Sequence, residues 1–298
     1  MALLGAFASD RFTTSGADIS FSSGGNRQGP PLLLLHGYPQ TRLIWHAVAP
    51  LLAEHFFLVM PDLRGYGESS KPEAGENFIN YSKREMARDM VEVMQELGHE
   101  RFLVAGHDRG GRVAHRLALD WPDNVERLSV LDIAPTREMY AATDMAFARA
   151  YWHWFFLIQP APLPENMIAG DPQGYLFRSM KVGGDSSLRS YDHFHEEAAA
   201  AYLAALSDHD TVHAMCNDYR AAASIDLVHD DEDEGHKITC PLHVIWGKRG
   251  VIERCFDPLA LWAQRAEQVS GEALDCSHYI PEERPAETAA ALLAFFKS

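Results

Sequence analysis

The residues best suited to chemistry stand in one short run, Gly106-His107-Asp108-Arg109-Gly110. An apolar segment, Phe102–Ala105, precedes the run, and a helical pattern reaching about Asp120 follows it. Gly-x-nucleophile-x-Gly between a strand and a helix is the spacing of a tight, strained turn that holds its middle side chain out at the end of a sheet. The middle residue here is aspartate. Serine in that place attacks acyl carbons, whereas a carboxylate can displace a leaving group from a saturated carbon and leave an alkyl ester on the protein. The competing reading is an aspartate that only caps a helix; the strand–turn–helix context favours the nucleophile.

An ester intermediate must be hydrolysed, which calls for a base and an acid that orients it. The chain order Asp108, Asp132, His278 supplies both. Histidine activates water near neutral pH, and a carboxylate sets its tautomer and stabilises the imidazolium. Asp132 sits at the carboxyl end of the apolar run Leu128–Leu131, and His278 follows the last strand region in Cys276-Ser277-His278-Tyr279. After the penultimate strand, Trp246–Gly250, no acid occurs until Glu253, which reads as a surface or loop carboxylate. His36-Gly37-Tyr38-Pro39 follows another apolar run, about 70 residues before the turn. The backbone N–H groups of Tyr38 and Arg109 are thereby candidates to stabilise an oxyanion on the Asp108 carboxyl carbon. The His36 ring reads as a brace for its loop.

Arg109 and Arg112 are three apart in the first helical turn after Asp108, hence on one face. Cations at a helix N-terminus oppose the macrodipole. Two of them beside a nucleophile point to a clamp on a substrate carboxylate, which a guanidinium matches as a two-pronged fork. The alternative is pairing with acids such as Asp62 or Asp132.

These residues need elements to hold them. Apolar runs at Pro31–Leu35, Phe56–Met60, Phe102–Ala105, Leu128–Leu131 and Leu242–Ile245 are continuous, as in parallel strands buried on both faces. Helical segments separate them. One opens with the capping box Ser82-Lys83-Arg84-Glu85 and reaches about Leu97-Gly98; a closing helix spans about Pro285–Lys297. The fold class expected is α/β, a mostly parallel, doubly wound sheet with right-handed crossovers. Residues from Thr136 to Asp226 hold aromatics and alanines in helical patterning, with no convincing strand. The organisation expected is a first core part at 1–135, a helical cap at 136–226 and a second core part at 227–298. A cap beyond the carboxyl ends of the strands would close the ligand site and exclude water. The acidic run Asp230–Glu234 reads as a solvated loop.

Composition sets limits. The chain has 298 residues, 47% hydrophobic and 23% charged, and a formal net charge of −16, which argues against nucleic acid as a partner. An anionic substrate would have to find its positive charge locally. Cys216, Cys240, Cys255 and Cys276 form no C-x-x-C pair and suggest neither zinc nor a redox motif. Met1–Ser9 lacks the basic region of a signal peptide, and no apolar run approaches the ~20 residues of a membrane span. The reading is cytoplasmic, with no membrane partner, metal or cofactor.

The chain resembles the fluoroacetate dehalogenases of the α/β-hydrolase fold. The likeness runs through His36-Gly37-Tyr38-Pro39-Gln40, Asp62-Leu63-Arg64-Gly65-Tyr66-Gly67, Gly106 to Arg112 and Val130-Leu131-Asp132-Ile133. In the cap it includes Tyr151-Trp152-His153-Trp154-Phe155-Phe156, Gln159-Pro160-Ala161-Pro162 and Asp218-Tyr219-Arg220-Ala221. The resemblance implies that Asp108 attacks the α-carbon of a haloacid while Arg109 and Arg112 hold its carboxylate. It implies that His153, Trp154 and Tyr219 bind the departing halide, and that His278, oriented by Asp132, activates the water that releases glycolate. It also implies a homodimer, for which the residues themselves give no interface. Without it, His153 and Trp154 read as aromatic cap core. The segment Gly247–Cys255 is more charged than the family pattern leads one to expect.

Rival readings share the scaffold. An epoxide hydrolase would use the same aspartate with Tyr151 and Tyr219 as acids, but a neutral epoxide has no use for two guanidiniums. A chloroacetate-preferring enzyme would differ only in pocket size. A haloalkane dehalogenase ordinarily carries tryptophan where Arg109 stands. A non-catalytic small-molecule receptor would need none of the Asp–His–Asp set.

Overall fold

Leu32, Leu33, Leu34 and Leu35 are all fully buried, yet they serve two cores. Leu33 and Leu35 pack with Val59, Val104, Val130 and Val244, whereas Leu32 and Leu34 pack with Leu58, Met60, Ala105 and Ile245. Side chains alternate across a strand, so a continuous apolar run is what a sheet covered on both faces requires.

The computed structural model describes residues 3–180 and 194–298. Their strands form one sheet: β1 (Ala8–Thr13), β2 (Asp18–Gly25), β3 (Pro31–Leu35), β4 (Phe57–Pro61), β5 (Phe102–His107), β6 (Val125–Leu131), β7 (Leu242–Gly247) and β8 (Val269–Leu274). The order is β1-β2-β4-β3-β5-β6-β7-β8. From β4 through β8 every pairing is parallel; only β1–β2 and β2–β4 are antiparallel. This is the α/β-hydrolase architecture expected from the sequence.

The antiparallel strands β1 and β2 were not anticipated. β1 is nearly all exposed, and β2 ends in Ser22-Ser23-Gly24-Gly25, so neither carries the apolar run that marks β3 to β7; β8, Val-Ser-Gly-Glu-Ala-Leu, lacks one too. Half of the capping box forms: Ser82 Oγ accepts from Glu85 N–H at 3.2 Å and opens the helix Lys83–Glu96, whereas the Ser82 N–H donates to the Ile79 carbonyl and not to Glu85.

Between β6 and β7 the described residues hold helices and no strand. Two of these helices, Trp152–Leu157 and His209–Ala222, bring the cap residues over the carboxyl ends of the strands. The last, Ile225–Glu232, runs past residue 226. The acidic run Asp230–Glu234 is therefore the end of a helix, not a free loop. Asp231 pairs with Arg137, and Asp233 with Arg116, so the run is partly anchored, although Asp231, Glu232 and Glu234 stay exposed. No helix of the described residues is long and apolar enough to cross a membrane.

Candidate active site

β5 ends at His107, the helix Arg109–Asp120 begins one residue after Asp108, and Asp108 takes φ 47°, ψ −114°. A non-glycine residue in such a conformation costs about 1–3 kcal/mol and persists only where its surroundings enforce it. They do. A Cβ on Gly106 would lie 2.5 Å from the Gly110 carbonyl oxygen, and one on Gly110 would lie 2.4 Å from that of His36. Only glycine at both positions lets strand, turn and helix close this tightly. The Tyr38 N–H donates to Asp108 Oδ2 at 3.0 Å, as expected of an oxyanion donor, and Arg109 opens the adjoining helix. Burial alone would raise the Asp108 pKa. The charges of His278, Arg112 and Arg109 outweigh it and hold the carboxyl below its usual range.

Asp132 leaves β6 in a similar strained conformation, φ 51°. Its Oδ2 lies 2.5 Å from His278 Nδ1, and its Oδ1 accepts the Gly247 N–H at 2.9 Å. The acid thus comes from the end of β6 but is secured by the end of β7. Glu253 is elsewhere, accepting from Trp246 Nε1 near the surface. Burial disfavours the His278 imidazolium. The hydrogen bond and charge of Asp132, with Asp108 adding, overcome that and raise its pKa above the usual value. His107 packs on His278 with ring centres 4.7 Å apart, its Nε2 being 2.8 Å from the His278 carbonyl oxygen. Burial, reinforced by His278, pushes His107 down to about 3, so it braces as a neutral ring. His36 is likewise a brace: its Nε2 accepts the Leu63 N–H at 3.0 Å while Nδ1 meets the Gly37 carbonyl at 3.0 Å.

Both arginines are buried beside Asp108. The acids suspected of neutralising them are otherwise engaged, Asp62 by Arg42 and Asp132 by His278. The partner of Arg109 is instead Asp218, with Nη2 and Oδ1 2.6 Å apart. A cap residue 109 positions away in sequence has no local signal that marks it as this partner. Arg112 Nη1 donates to the Ala134 carbonyl at 3.1 Å and to Thr136 Oγ1 at 2.8 Å, and its guanidinium lies 4.6 Å from the centre of the Trp154 ring. Arg109 Nη1 and Arg112 Nε are buried without hydrogen-bond partners.

The cap contributes His153, Trp154 and Tyr219, all buried. They join Tyr38 in one aromatic group: Tyr38 stacks on His153 at 5.9 Å, and Tyr219 meets Tyr38 at 5.1 Å and His153 at 5.9 Å, edge to face. The Tyr219 hydroxyl and His153 Nδ1 have no hydrogen-bond partner. Buried polar atoms ordinarily have one, and leaving one unmade costs about 1–3 kcal/mol. Burial drives His153 down to about 3, although Asp108 pulls the other way; it stands there as a neutral imidazole that can donate one N–H. Tyr151 OH is 3.5 Å from His278 Nδ1.

The sequence reading missed Lys83 and Tyr66, which also touch Asp218, and gave Asp218 no role of its own. A cleft of about 830 Å³ opens elsewhere, lined by residues such as Leu4, Phe7, Arg42, Lys71 and Asp208 but not by Asp108, Asp132, His278, the two arginines or the cap aromatics. It holds no nucleophile–histidine–acid set, so Asp108 and its partners remain the candidate site.

Comparison with known proteins follows the same lines. Residues 30–229 match the family model described as the α/β hydrolase fold. A fluoroacetate dehalogenase from Burkholderia sp. is 43% identical over 93% of this chain and 90% of its own. A soluble epoxide hydrolase from Corynebacterium sp. (strain C12) is 35% identical over 90% of each. A crystal structure from Nostoc sp. PCC 7120, provisionally assigned as an α/β hydrolase, superposes with a TM-score of 0.94 at 52% identity, covering 98% of this chain and 99% of that one.

Proposed function

Because the chain belongs to the fluoroacetate dehalogenase family of α/β hydrolases, we propose that it hydrolyses haloacetates, converting fluoroacetate to glycolate and fluoride. The observation that carries this reading is the pair of buried guanidiniums, Arg109 and Arg112, both acting on Asp108 and each keeping an unpartnered N–H. A small carboxylate substrate gives those donors a purpose, and in a chain of net charge −16 the positive field has to be local.

In the first half-reaction Asp108 attacks the α-carbon, the carbon–oxygen bond forms, and the carbon–halogen bond breaks with its electron pair leaving on the halide. Oδ2 is engaged by Tyr38 N–H, which leaves Oδ1 as the attacking atom. His153, Trp154 and Tyr219 receive the halide; fluoride is a poor leaving group, so several donors aimed at the developing charge are needed. In the second half-reaction His278 takes a proton from water through Nε2, its Nδ1 being occupied by Asp132. The hydroxide adds to the Asp108 carboxyl carbon, and Tyr38 N–H and Arg109 N–H stabilise the oxyanion. Collapse breaks the acyl carbon–oxygen bond as the His278 imidazolium returns its proton to the departing glycolate oxygen, and the Asp108 carboxyl then loses its remaining proton to solvent.

The rival is epoxide hydrolysis, supported by the Corynebacterium relative and by the unpartnered Tyr219 hydroxyl. Fluorine NMR of fluoroacetate with the purified protein separates the two. Catalytic release of fluoride, abolished in Asp108→Asn and in Arg112→Leu, is expected. A folded wild type that hydrolyses epoxides and leaves fluoroacetate and chloroacetate untouched would overturn the proposal.

A further inference from the structure

Arg109 is held along one edge only. Its Nε donates to Asp218 Oδ2 at 2.9 Å, and its Nη2 donates to Oδ1 at 2.6 Å and to the Asp218 carbonyl oxygen at 2.9 Å. Nη1 is buried and unpartnered. A guanidinium is planar, so a carboxylate that grips one edge fixes where the remaining N–H groups point. We propose that Asp218 is a positioning residue for substrate binding: it clamps Arg109 so that Nη1 is presented to the substrate carboxylate, and Lys83 steadies Asp218 from the other side. The inference rests on the reading of Arg109 as part of the carboxylate grip.

Among the described residues, every hydrogen-bond partner of the Asp218 carboxylate is a donor. Besides Arg109, Tyr66 OH donates to Oδ2 at 2.6 Å and Lys83 Nζ reaches Oδ1. Burial opposes the charge, but Arg109 and Lys83 overcome it and hold Asp218 far below the usual carboxylate range. The second cation matters. An arginine and an aspartate alone make a neutral pair that would orient the guanidinium while cancelling its pull on an anion. Lys83 offsets the Asp218 charge next to Arg109; it also lies 3.6 Å from Asp226 Oδ2, so it bridges two acids of the cap and the four side chains together are neutral.

The placement in the fold extends the point. Asp218 and Tyr219 are neighbours on the helix His209–Ala222, and the Arg109 guanidinium sits 4.3 Å from the centre of the Tyr219 ring. One cap helix therefore sets both ends of the substrate, the carboxylate through Asp218 and Arg109, and the halide through Tyr219.

The test compares wild type, Asp218→Asn, Asp218→Glu and the double variant Asp218→Asn/Lys83→Met. It reads kcat and KM for fluoroacetate, the Kd of acetate and the thermal midpoint. Asp218→Asn is expected to raise KM and the acetate Kd about 10- to 100-fold, the range of a charged hydrogen bond, with a smaller fall in kcat. It should also melt lower, because buried Arg109 loses its counter-ion and Lys83 one of its two. Adding Lys83→Met removes the surplus charge but leaves Asp226 without Lys83, so the midpoint should recover only in part while KM stays high. Asp218→Glu keeps the charge but moves it by one methylene, and should stay folded with a raised KM. Acetate affinity within about twofold of wild type in both single variants, or a KM that recovers together with the midpoint, would overturn the inference alone. A wild type that neither releases fluoride nor binds acetate would overturn the dehalogenase reading, and this inference with it.

Discussion

On the core side of the site, Asp108, Asp132 and Tyr38 leave the ends of β5, β6 and β3 with hydrogen bonds already made, and His278, beyond β8, is joined to Asp132. On the cap side, the Tyr219 hydroxyl and His153 Nδ1 are buried without a partner. The contrast fits the work proposed for each side. A nucleophile, its base and its oxyanion donor must be aimed before substrate arrives, and strained turns at Asp108 and Asp132 held by their neighbours achieve this. Donors for a leaving group act only once charge develops, so they remain free until the transition state. The arginines stand between the two: Arg109 has one edge fixed by the cap and its Nη1 free.

The contrast can be broken from either side. The largest effect is expected at His278, where replacement by asparagine should leave alkylation intact and stop ester hydrolysis, a loss of several orders of magnitude in turnover. The protein would then gain the mass of one carboxymethyl group on Asp108, read by intact-mass and peptide mass spectrometry. Unmodified His278→Asn protein with normal turnover would remove the histidine from its role. Next come the cap donors. Tyr219→Phe should slow fluoroacetate about 100-fold and chloroacetate much less, since chloride leaves more readily; equal losses on both would make Tyr219 a packing residue.

The smallest effect is a shift in pH dependence. His278 must be neutral to accept a proton, so ester hydrolysis is lost as pH falls through its pKa. In the free protein that pKa lies above the usual value, held there against burial by Asp132 and, further, by Asp108. Alkylation removes the Asp108 charge. The acid limb of ester hydrolysis, followed by quenching the intermediate, should therefore lie below the His278 titration seen by NMR in the free protein. Coincident values would show that Asp108 exerts no such control.

The core side was legible in the sequence because its signals are local. Gly106-x-Asp108-x-Gly110 specifies a turn, continuous runs such as Pro31–Leu35 mark strands buried on both faces, and Asp132 follows its strand directly. The cap side was legible only through resemblance, since His153 and Trp154 have the composition of an aromatic core and lie in one. Asp218 was not legible as a partner at all. Arg109 meets it across 109 positions, and the acids closer in sequence proved to be occupied by Arg42 and His278. β1 and β2 escaped notice for a different reason: antiparallel strands at the sheet edge need no continuous apolar run.

The covalent role of Asp108 is most directly tested by a single turnover in heavy-oxygen water with the protein in excess over fluoroacetate. Attack by Asp108 and hydrolysis at its carboxyl carbon place the label in the Asp108 side chain, and the first glycolate released is unlabelled. Labelled glycolate from that first turnover, with Asp108 unlabelled, would mean that water attacks the substrate directly and would contradict the account.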